Sequence, residues 1–232
     1  MTQRGWWSWH GYSRRAVSKD VEEFPGWGVL MELADACETP LERAFIAALF
    51  LTGSRVSEAL QLRGSSFEVL EEDGLIICRG VTLLKRYRKL EERPDGSWVT
   101  GPLETYRRPF PILLAEPLTL ILVAWLEKVR SGYLFPSPRR PGKPLTRAWA
   151  YKLSGRLQDR TGVPCWPHAF RSWRASQLVQ DYGFEVLDLI DFFTWEKLDT
   201  ALGYTRRGPW GLAKKMRPLP QYLPQAPSRE VT

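Results

Sequence analysis

Four polar side chains in three short segments have the chemistry needed to attack a phosphodiester. They are Arg55 in TGSRVSEAL, His168 and Arg171 in PHAFRSWRAS, and Tyr204 at the end of TWEKLDTALGYTR. Guanidinium groups bind the non-bridging oxygens of a phosphate, a phenol can form a covalent intermediate, and an imidazole exchanges protons near neutral pH. Taken singly, each residue has an ordinary structural interpretation as a surface, helix-start or packing residue. Their joint order is what indicates a site.

Helical patterns account for most of the chain that must position these residues. Thr39-Pro40-Leu41-Glu42 combines an N-cap, a proline at the first helical position and a capping carboxylate, and Gly53 is a stop signal. The segments with helical patterns are GVLMELADAC, LERAFIAALFLTG, VSEALQLRG, PLTLILVAWLEKVR, TRAWAYKLSGRLQDR, HAFRSWRASQLVQDYG, FEVLDLIDFF and EKLDTALGY.

From Ser66 the apolar period changes to two, which predicts strands. FEVLEEDGLIICRGV reads as two strands joined by an Asp-Gly turn, and a third strand is predicted near TYRRPFPI. The stretch between them, KRYRKLEERPDGSWVTG, is basic and predicted to be irregular. The sequence therefore predicts an α+β fold, mainly α-helical, with a small three-stranded antiparallel sheet.

The composition and net charge indicate which kind of molecule the protein binds and where it is expected to be found. The 232 residues carry a net charge of +7 with a pI near 9.4, which favours an anionic partner such as nucleic acid. Cys37, Cys78 and Cys165 are widely spaced and indicate neither a disulfide framework nor a metal site. The longest apolar run, LTLILVAWL, is too short to span a bilayer. We therefore expect a soluble intracellular protein without membrane association, cytoplasmic or associated with the nucleoid.

At three places the chain resembles the catalytic domain of the tyrosine recombinase (phage integrase) family. TGSRVSEALQL resembles the family's first arginine box, and PHAFRSW resembles the second box, His-x-x-Arg at a helix start. Trp195 precedes Tyr204 by the family's spacing between the third box and the nucleophile, although histidine is more usual at that position. The resemblance covers roughly residues 38–207 and implies the family's catalytic-domain fold.

The resemblance also implies a role for each residue. Tyr204 would attack the scissile phosphate, leaving a 3′-phosphotyrosyl enzyme and a free 5′-hydroxyl, while Arg55 and Arg171 hold the non-bridging oxygens. His168 would exchange a proton with the tyrosine or bind the phosphate, and Trp195 would position the phosphate and pack. Glu58, one helical turn from Arg55, would orient its guanidinium. No cofactor is implied.

A lysine on the hairpin between the first two boxes is expected to protonate the leaving 5′-oxygen. Lys85 fits best, at the end of the strand pattern IICRGVTLLK, and Lys89 is the alternative. The basic residues predicted to bind DNA are Arg86, Arg88, Lys89 and Arg174.

The chain also departs from the family pattern. Ser172 follows the second arginine, where the family often has histidine, and Phe193-Thr194-Trp195 replaces Leu-Gly-His. These departures favour a divergent member of the family, of viral or archaeal type, over a standard bacterial enzyme. We expect residues 1–37 to form an arm or remnant helix in place of a separate DNA-clamping domain, 38–207 the catalytic domain, and 208–232 a Pro-rich tail.

The function expected from these features is site-specific recombination of double-stranded DNA, in integration or excision of a mobile element, by a homo-oligomer (a tetramer) on DNA. Two alternatives stay open. One is relaxation of DNA by a type IB topoisomerase-like enzyme, which needs only a monomer. The other is a non-catalytic DNA-binding protein on the same fold.

Overall fold

The computed structural model describes residues 23–72 and 75–205, which form helices around one small sheet. The elements in chain order are α1 (Trp27–Asp35), α2 (Pro40–Thr52), α3 (Val56–Ala59), a 3-10 helix (Gly64–Ser66), β1 (Phe67–Glu72), β2 (Leu75–Glu92), β3 (Trp98–Leu113), α4 (Thr119–Lys128), α5 (Arg147–Thr161), α6 (Pro167–Tyr182), α7 (Val186–Phe193) and α8 (Leu198–Thr205). The predicted class, mainly helical α+β with a three-stranded antiparallel sheet, is confirmed.

The centre of the core is α2. Every residue from 44 to 51 is fully buried, and the helix packs against α1, α4 and α6, as expected for a helix that is apolar on all sides. Its predicted limits are confirmed, because Thr39 Oγ1 accepts a hydrogen bond from the Glu42 N–H (3.2 Å) and Gly53 ends the helix with φ 55°. The end of α2 is thus fixed two residues before Arg55.

The helix predicted over VSEALQLRG is shorter than expected. It ends at Ala59, since the backbone of Leu62 accepts a hydrogen bond from the Leu134 N–H (2.8 Å) and Arg63 forms a bridge with Tyr133. Pairing with a distant segment has here replaced continuation of the helix.

The sheet is antiparallel in the order β1-β2-β3, and β2 and β3 form a long hairpin. The prediction of an irregular basic stretch after the second strand is wrong: β2 continues to Glu92, paired with β3 from Ile77↔Leu113 to Glu92↔Trp98. The pairing register of β2 with β3 shifts after Tyr87 and after Lys89, as it does at a β-bulge. Strand β3, which follows later in the chain, pairs with this part of β2 and stabilises a strand for which the local sequence gives only a weak signal.

Parts of the predicted domain division lie outside the described residues, namely residues 1–22, the Asp73-Gly74 turn and the tail after Thr205. Within the predicted N-terminal segment, 27–35 form α1, whose Leu30, Leu33 and Ala34 are fully buried in the main core. In the part of the chain that the structure describes, no helix combines the length and hydrophobicity needed to cross a membrane.

Candidate active site

Arg55 lies at the junction of α2 and α3 and is held by Glu58. The Arg55 backbone N–H donates to Glu58 Oε2 (2.9 Å), and Arg55 Nη1 donates to Oε1 of the same carboxylate (3.0 Å). Glu58 is buried, whereas 48% of the Arg55 side chain is exposed. The carboxylate therefore fixes both the backbone and the guanidinium of Arg55, which is the contact expected of an orienting residue.

His168 and Arg171 lie one turn apart at the start of α6, which begins at Pro167. His168 is exposed, whereas Arg171 is buried. Arg171 Nη1 donates to the Gly53 carbonyl (2.5 Å), and Nη2 donates to the Phe193 carbonyl (3.3 Å). The second arginine box thus contacts residues two positions before Arg55 and two positions before Trp195, although more than a hundred residues separate the two arginines along the chain.

Trp195 and Tyr204 form one end of a stack of aromatic rings. The Tyr204 ring is stacked on Trp195 (centroids 5.3 Å apart, planes at 16°), and Trp195 is stacked on Phe193 (4.6 Å, 12°). The Arg171 guanidinium lies over the Phe193 ring, 4.7 Å from its centroid. Between the two stacked residues Thr194 has a positive φ of 50°, an uncommon conformation for a β-branched residue. This backbone turn places Phe193 and Trp195 face to face.

The Tyr204 hydroxyl is also fixed, since it donates a hydrogen bond to Ser172 Oγ (3.2 Å) on α6. Ser172 directly follows Arg171 and is itself buried. The nucleophile candidate is therefore held through its ring by Trp195 and through its oxygen by α6. Sequence reasoning noted Ser172 only as a departure from the family pattern.

Comparisons with known proteins agree on the fold. The XerH site-specific recombinase, in a pre-cleavage complex with its difH substrate, aligns with a TM-score of 0.57 at 20% identity, over 84% of this chain and 52% of XerH. The Tn1549 transposon integrase (its residues 82–397), bound to circular intermediate DNA, aligns with a TM-score of 0.57 at 16% identity, over 87% of this chain and 66% of that one. This chain has the fold of a tyrosine recombinase catalytic domain.

Sequence comparison gives a weaker likeness in the same direction. Transposase A from transposon Tn554 of Staphylococcus aureus (strain Mu50 / ATCC 700699) is 24% identical over 157 residues, which are 67% of this chain and 40% of the transposase. No protein-family profile matches the chain. The chain spans 40% of the transposase and 52% of XerH, so the likeness concerns only a part of each.

Within the tyrosine recombinase fold, one buried residue of the site was missed by the sequence analysis. Arg108 on β3 is fully buried and donates to the carbonyls of Phe192 (2.8 Å) and Thr52 (2.9 Å) and to Ser54 Oγ (2.8 Å). A signal was present in the sequence, because Arg108 is in phase with the buried Phe110 and Ile112 along the strand.

The site of this recombinase fold carries an excess of positive charge. Burial is the main cause that lowers the pKa of Arg171 to about 9; the Glu58 carboxylate opposes it, and the nearby positive charges of Arg108 and Arg55 add to it. Burial likewise lowers the pKa of Arg108 to about 10, again opposed by Glu58. Three guanidinium groups thus share one carboxylate, and an arriving anion would relieve the imbalance.

The hairpin brings the remaining basic candidates along one strand. Lys85, Arg86, Arg88 and Lys89 all lie on β2, whose backbone places Lys85 opposite Thr105 and Lys89 opposite Thr100 on β3. The strand is anchored beside the site, because Thr82 Oγ1 donates to the Glu58 carbonyl (3.4 Å). The choice between Lys85 and Lys89 stays a prediction.

The predicted DNA contact of Arg174 is wrong. Arg174 is only 2% exposed, and its Nη1 donates to Glu116 Oε1 (2.6 Å) and Gln177 Oε1 (2.9 Å). The Tyr182 hydroxyl donates to the same Glu116 oxygen (2.8 Å). Burial, and to a smaller extent the Glu116 carboxylate, raise the pKa of Tyr182 to about 12. Because every residue of α6 from 169 to 178 is buried, a basic residue in that part of the helix faces the interior.

Metal-ligating side chains do not cluster in the described part of the chain: no group of three or more His, Cys, Asp or Glu residues there could hold a metal ion.

Proposed function

We propose that this chain is a site-specific DNA recombinase, which cleaves and rejoins strands through a covalent bond between Tyr204 and a 3′-phosphate. One observation carries the proposal. The Tyr204 ring and hydroxyl are both fixed next to the second-box arginine, by the stack on Trp195 and by the bond to Ser172. A structural tyrosine would need neither a ring stack leading to a buried arginine nor a site with excess positive charge.

In the proposed reaction, the Tyr204 oxygen forms a bond to the scissile phosphorus as the bond from phosphorus to the 5′-oxygen breaks. Arg55 and Arg171 hold the non-bridging oxygens, where negative charge increases in the transition state. Arg55 is half-exposed and oriented by Glu58, so it can meet the phosphate directly. Arg171 has five N–H donors, of which two are accounted for by the Gly53 and Phe193 carbonyls.

We propose that the phenol proton leaves along α6. Tyr204 already donates to Ser172, and His168 lies one helical turn before Ser172, where i and i+4 side chains are neighbours. We assign Ser172 as the first acceptor of this proton and His168 as the base that receives it. The leaving 5′-oxygen takes a proton from Lys85, with Lys89 as the alternative donor. Each proton lost by one group is gained by another. In the rejoining step a 5′-hydroxyl attacks the phosphotyrosyl bond, and the same transfers run in reverse. We also propose that the reaction needs no metal ion.

The substrate proposed is double-stranded DNA. XerH and the Tn1549 integrase are described in complexes with DNA, and the transposase is named for a transposon. The net charge of +7 and the basic residues Arg86, Arg88 and Lys89 on β2 suit phosphate contacts. We propose that residues 38–207 act as the catalytic domain in integration or excision of a mobile element, assembled as a tetramer on DNA in the cytoplasm or nucleoid.

Covalent trapping tests the proposal. The full chain is incubated with EDTA and a supercoiled plasmid carrying the DNA that flanks its gene, then resolved in denaturing detergent. We expect a protein–DNA adduct with the wild type and with Tyr151→Phe, a matched change at an exposed tyrosine on α5. We expect none with Tyr204→Phe, which should still bind DNA.

Other outcomes would separate the alternatives. An adduct that survives Tyr204→Phe refutes the assignment of the nucleophile, and an adduct formed only with added metal refutes the metal-independent chemistry. Plasmid relaxation without strand exchange would favour a topoisomerase-like activity. DNA binding without any adduct would favour a non-catalytic DNA-binding protein on this fold.

A further inference from the structure

Two buried arginines bridge the same pair of chain segments. Arg108 on β3 donates to the carbonyls of Thr52 and Phe192, at 2.9 and 2.8 Å. Arg171 on α6 donates to the carbonyls of the next residue in each segment, Gly53 (2.5 Å) and Phe193 (3.3 Å). The same connection is therefore made twice, from two different elements.

The bridged segments are the C-terminal ends of α2 and α7. The last carbonyls of a helix lack partners within the helix and carry the negative end of its dipole. Two such ends facing each other would repel. Gly53 and Phe193 are nevertheless in direct contact, since a Cβ added at Gly53 would lie 2.4 Å from Phe193 Cε1. The two guanidinium groups supply the positive charge that makes this approach favourable.

Each bridged end leads directly into the site. Arg55 follows the end of α2, and Trp195 follows the end of α7. The distance between the two helix ends therefore sets the distance between the first phosphate-binding arginine and the ring on which Tyr204 stacks.

The geometry points to Arg108 as a positioning residue that joins the ends of α2 and α7 and so leaves Arg171 free to engage the scissile phosphate. This inference rests on the proposed function and extends it. If Arg171 were the sole bridge, turning its guanidinium toward a phosphate would release the two helix ends at the moment when their separation matters. Arg108 is fully buried and also donates to Ser54 Oγ (2.8 Å), so we expect its bonds to persist when the phosphate is bound.

The test compares Arg108→Met, which keeps a long apolar side chain but no donor, with Arg108→Lys. Arg107→Met is the matched control, because Arg107 is the exposed neighbour on β3. Hydrogen–deuterium exchange of the full chain is measured at the amides of 52–58 and 192–197, and adduct formation is measured in a single turnover at saturating DNA.

We expect Arg108→Met to exchange faster at both helix ends together, and to form the adduct at least about tenfold more slowly with DNA affinity within about twofold of wild type. Arg108→Lys should be intermediate, because an ammonium keeps the charge but not the planar fork. Arg107→Met should match the wild type in exchange and in adduct rate.

Three results would overturn the inference: wild-type adduct formation by Arg108→Met, faster exchange at one helix end alone, or DNA affinity that falls in proportion to the adduct rate. If Arg108→Met does not fold, Arg108→Lys decides by the same readouts. If the wild type forms no adduct, the proposed function fails, while the exchange measurement still decides whether Arg108 joins the two ends.

Discussion

Replacing Glu58 with glutamine separates the orientation of Arg55 from the binding of DNA. Glu58 accepts from the Arg55 backbone N–H (2.9 Å) and from its guanidinium (3.0 Å). A glutamine oxygen can keep the backbone bond, so the main loss is the charge-assisted bond to the guanidinium. Such bonds contribute about 1.5–3 kcal/mol when buried. Because Arg55 is half-exposed, we discount this to about 1–2 kcal/mol, or about 5- to 30-fold in the cleavage rate.

Binding and stability should respond differently to the same change. Glu58→Gln removes a negative charge beside the proposed phosphate site, so DNA affinity should not fall. The buried Arg171 and Arg108 lose their nearby carboxylate, so the free energy of unfolding should drop by about 1–3 kcal/mol, which is about 2–12 °C in Tm for a domain of this size.

The assay is single-turnover adduct formation at saturating DNA, with affinity and thermal unfolding measured on the same preparations. Asp188→Asn is the control, because Asp188 accepts from the Glu185 backbone N–H (2.7 Å) at an exposed helix start away from the arginines. It should cost less than about 1 kcal/mol and leave cleavage unchanged. Wild-type cleavage by Glu58→Gln, or DNA affinity that falls together with the rate, would refute the orienting role.

Two further predictions concern how Tyr204 is held. Trp195→Ala removes the stack and should slow adduct formation by about 2- to 13-fold, the value of an aromatic pair, whereas Trp195→Phe should retain most of the rate; equal rates for the two variants would contradict a stacking role. Ser172→Ala removes the acceptor of the Tyr204 proton and should slow adduct formation by a similar factor and alter its pH profile. An unchanged pH profile, with Ser176→Ala on the same helix as control, would contradict the proton path.

Much of the helical part of the fold could be predicted from local signals in the sequence. The limits of α2 were predictable because Thr39 and Gly53 act within a few residues, through a side-chain cap and a left-handed turn. The length of the β2–β3 hairpin was not, because its pairing partner lies up to thirty-six residues away, as in Ile77↔Leu113, and strand formation depends on that partner as well as on local alternation. Local signals thus fixed the helices more closely than the sheet.

The site was predictable as a set of residues rather than as a geometry. Spacing and resemblance singled out Arg55, Arg171 and Tyr204. In the structure Glu58 holds Arg55, and the stacked rings of Phe193 and Trp195 connect Arg171 with Tyr204. The ring stack depends on the positive φ of Thr194, a conformation that a threonine does not predict. Which neighbours a side chain meets across the fold is a property of tertiary packing, and spacing along the chain does not contain it.

The two buried arginines of α6 differ in the groups that they bind, and this difference distinguishes a structural arginine from a catalytic candidate. Arg174 is paired with the carboxylate of Glu116, which cancels its charge and leaves nothing for a phosphate to gain. Arg171 is instead bonded to two backbone carbonyls, which accept from two of its N–H donors and leave its positive charge in place. In the proposed site a phosphate would therefore meet Arg171 without displacing a carboxylate bonded to it, and it would bring negative charge to a guanidinium whose pKa is lowered mainly by burial. By the same reasoning, a carboxylate placed next to Arg171 would stabilise the fold and weaken the site.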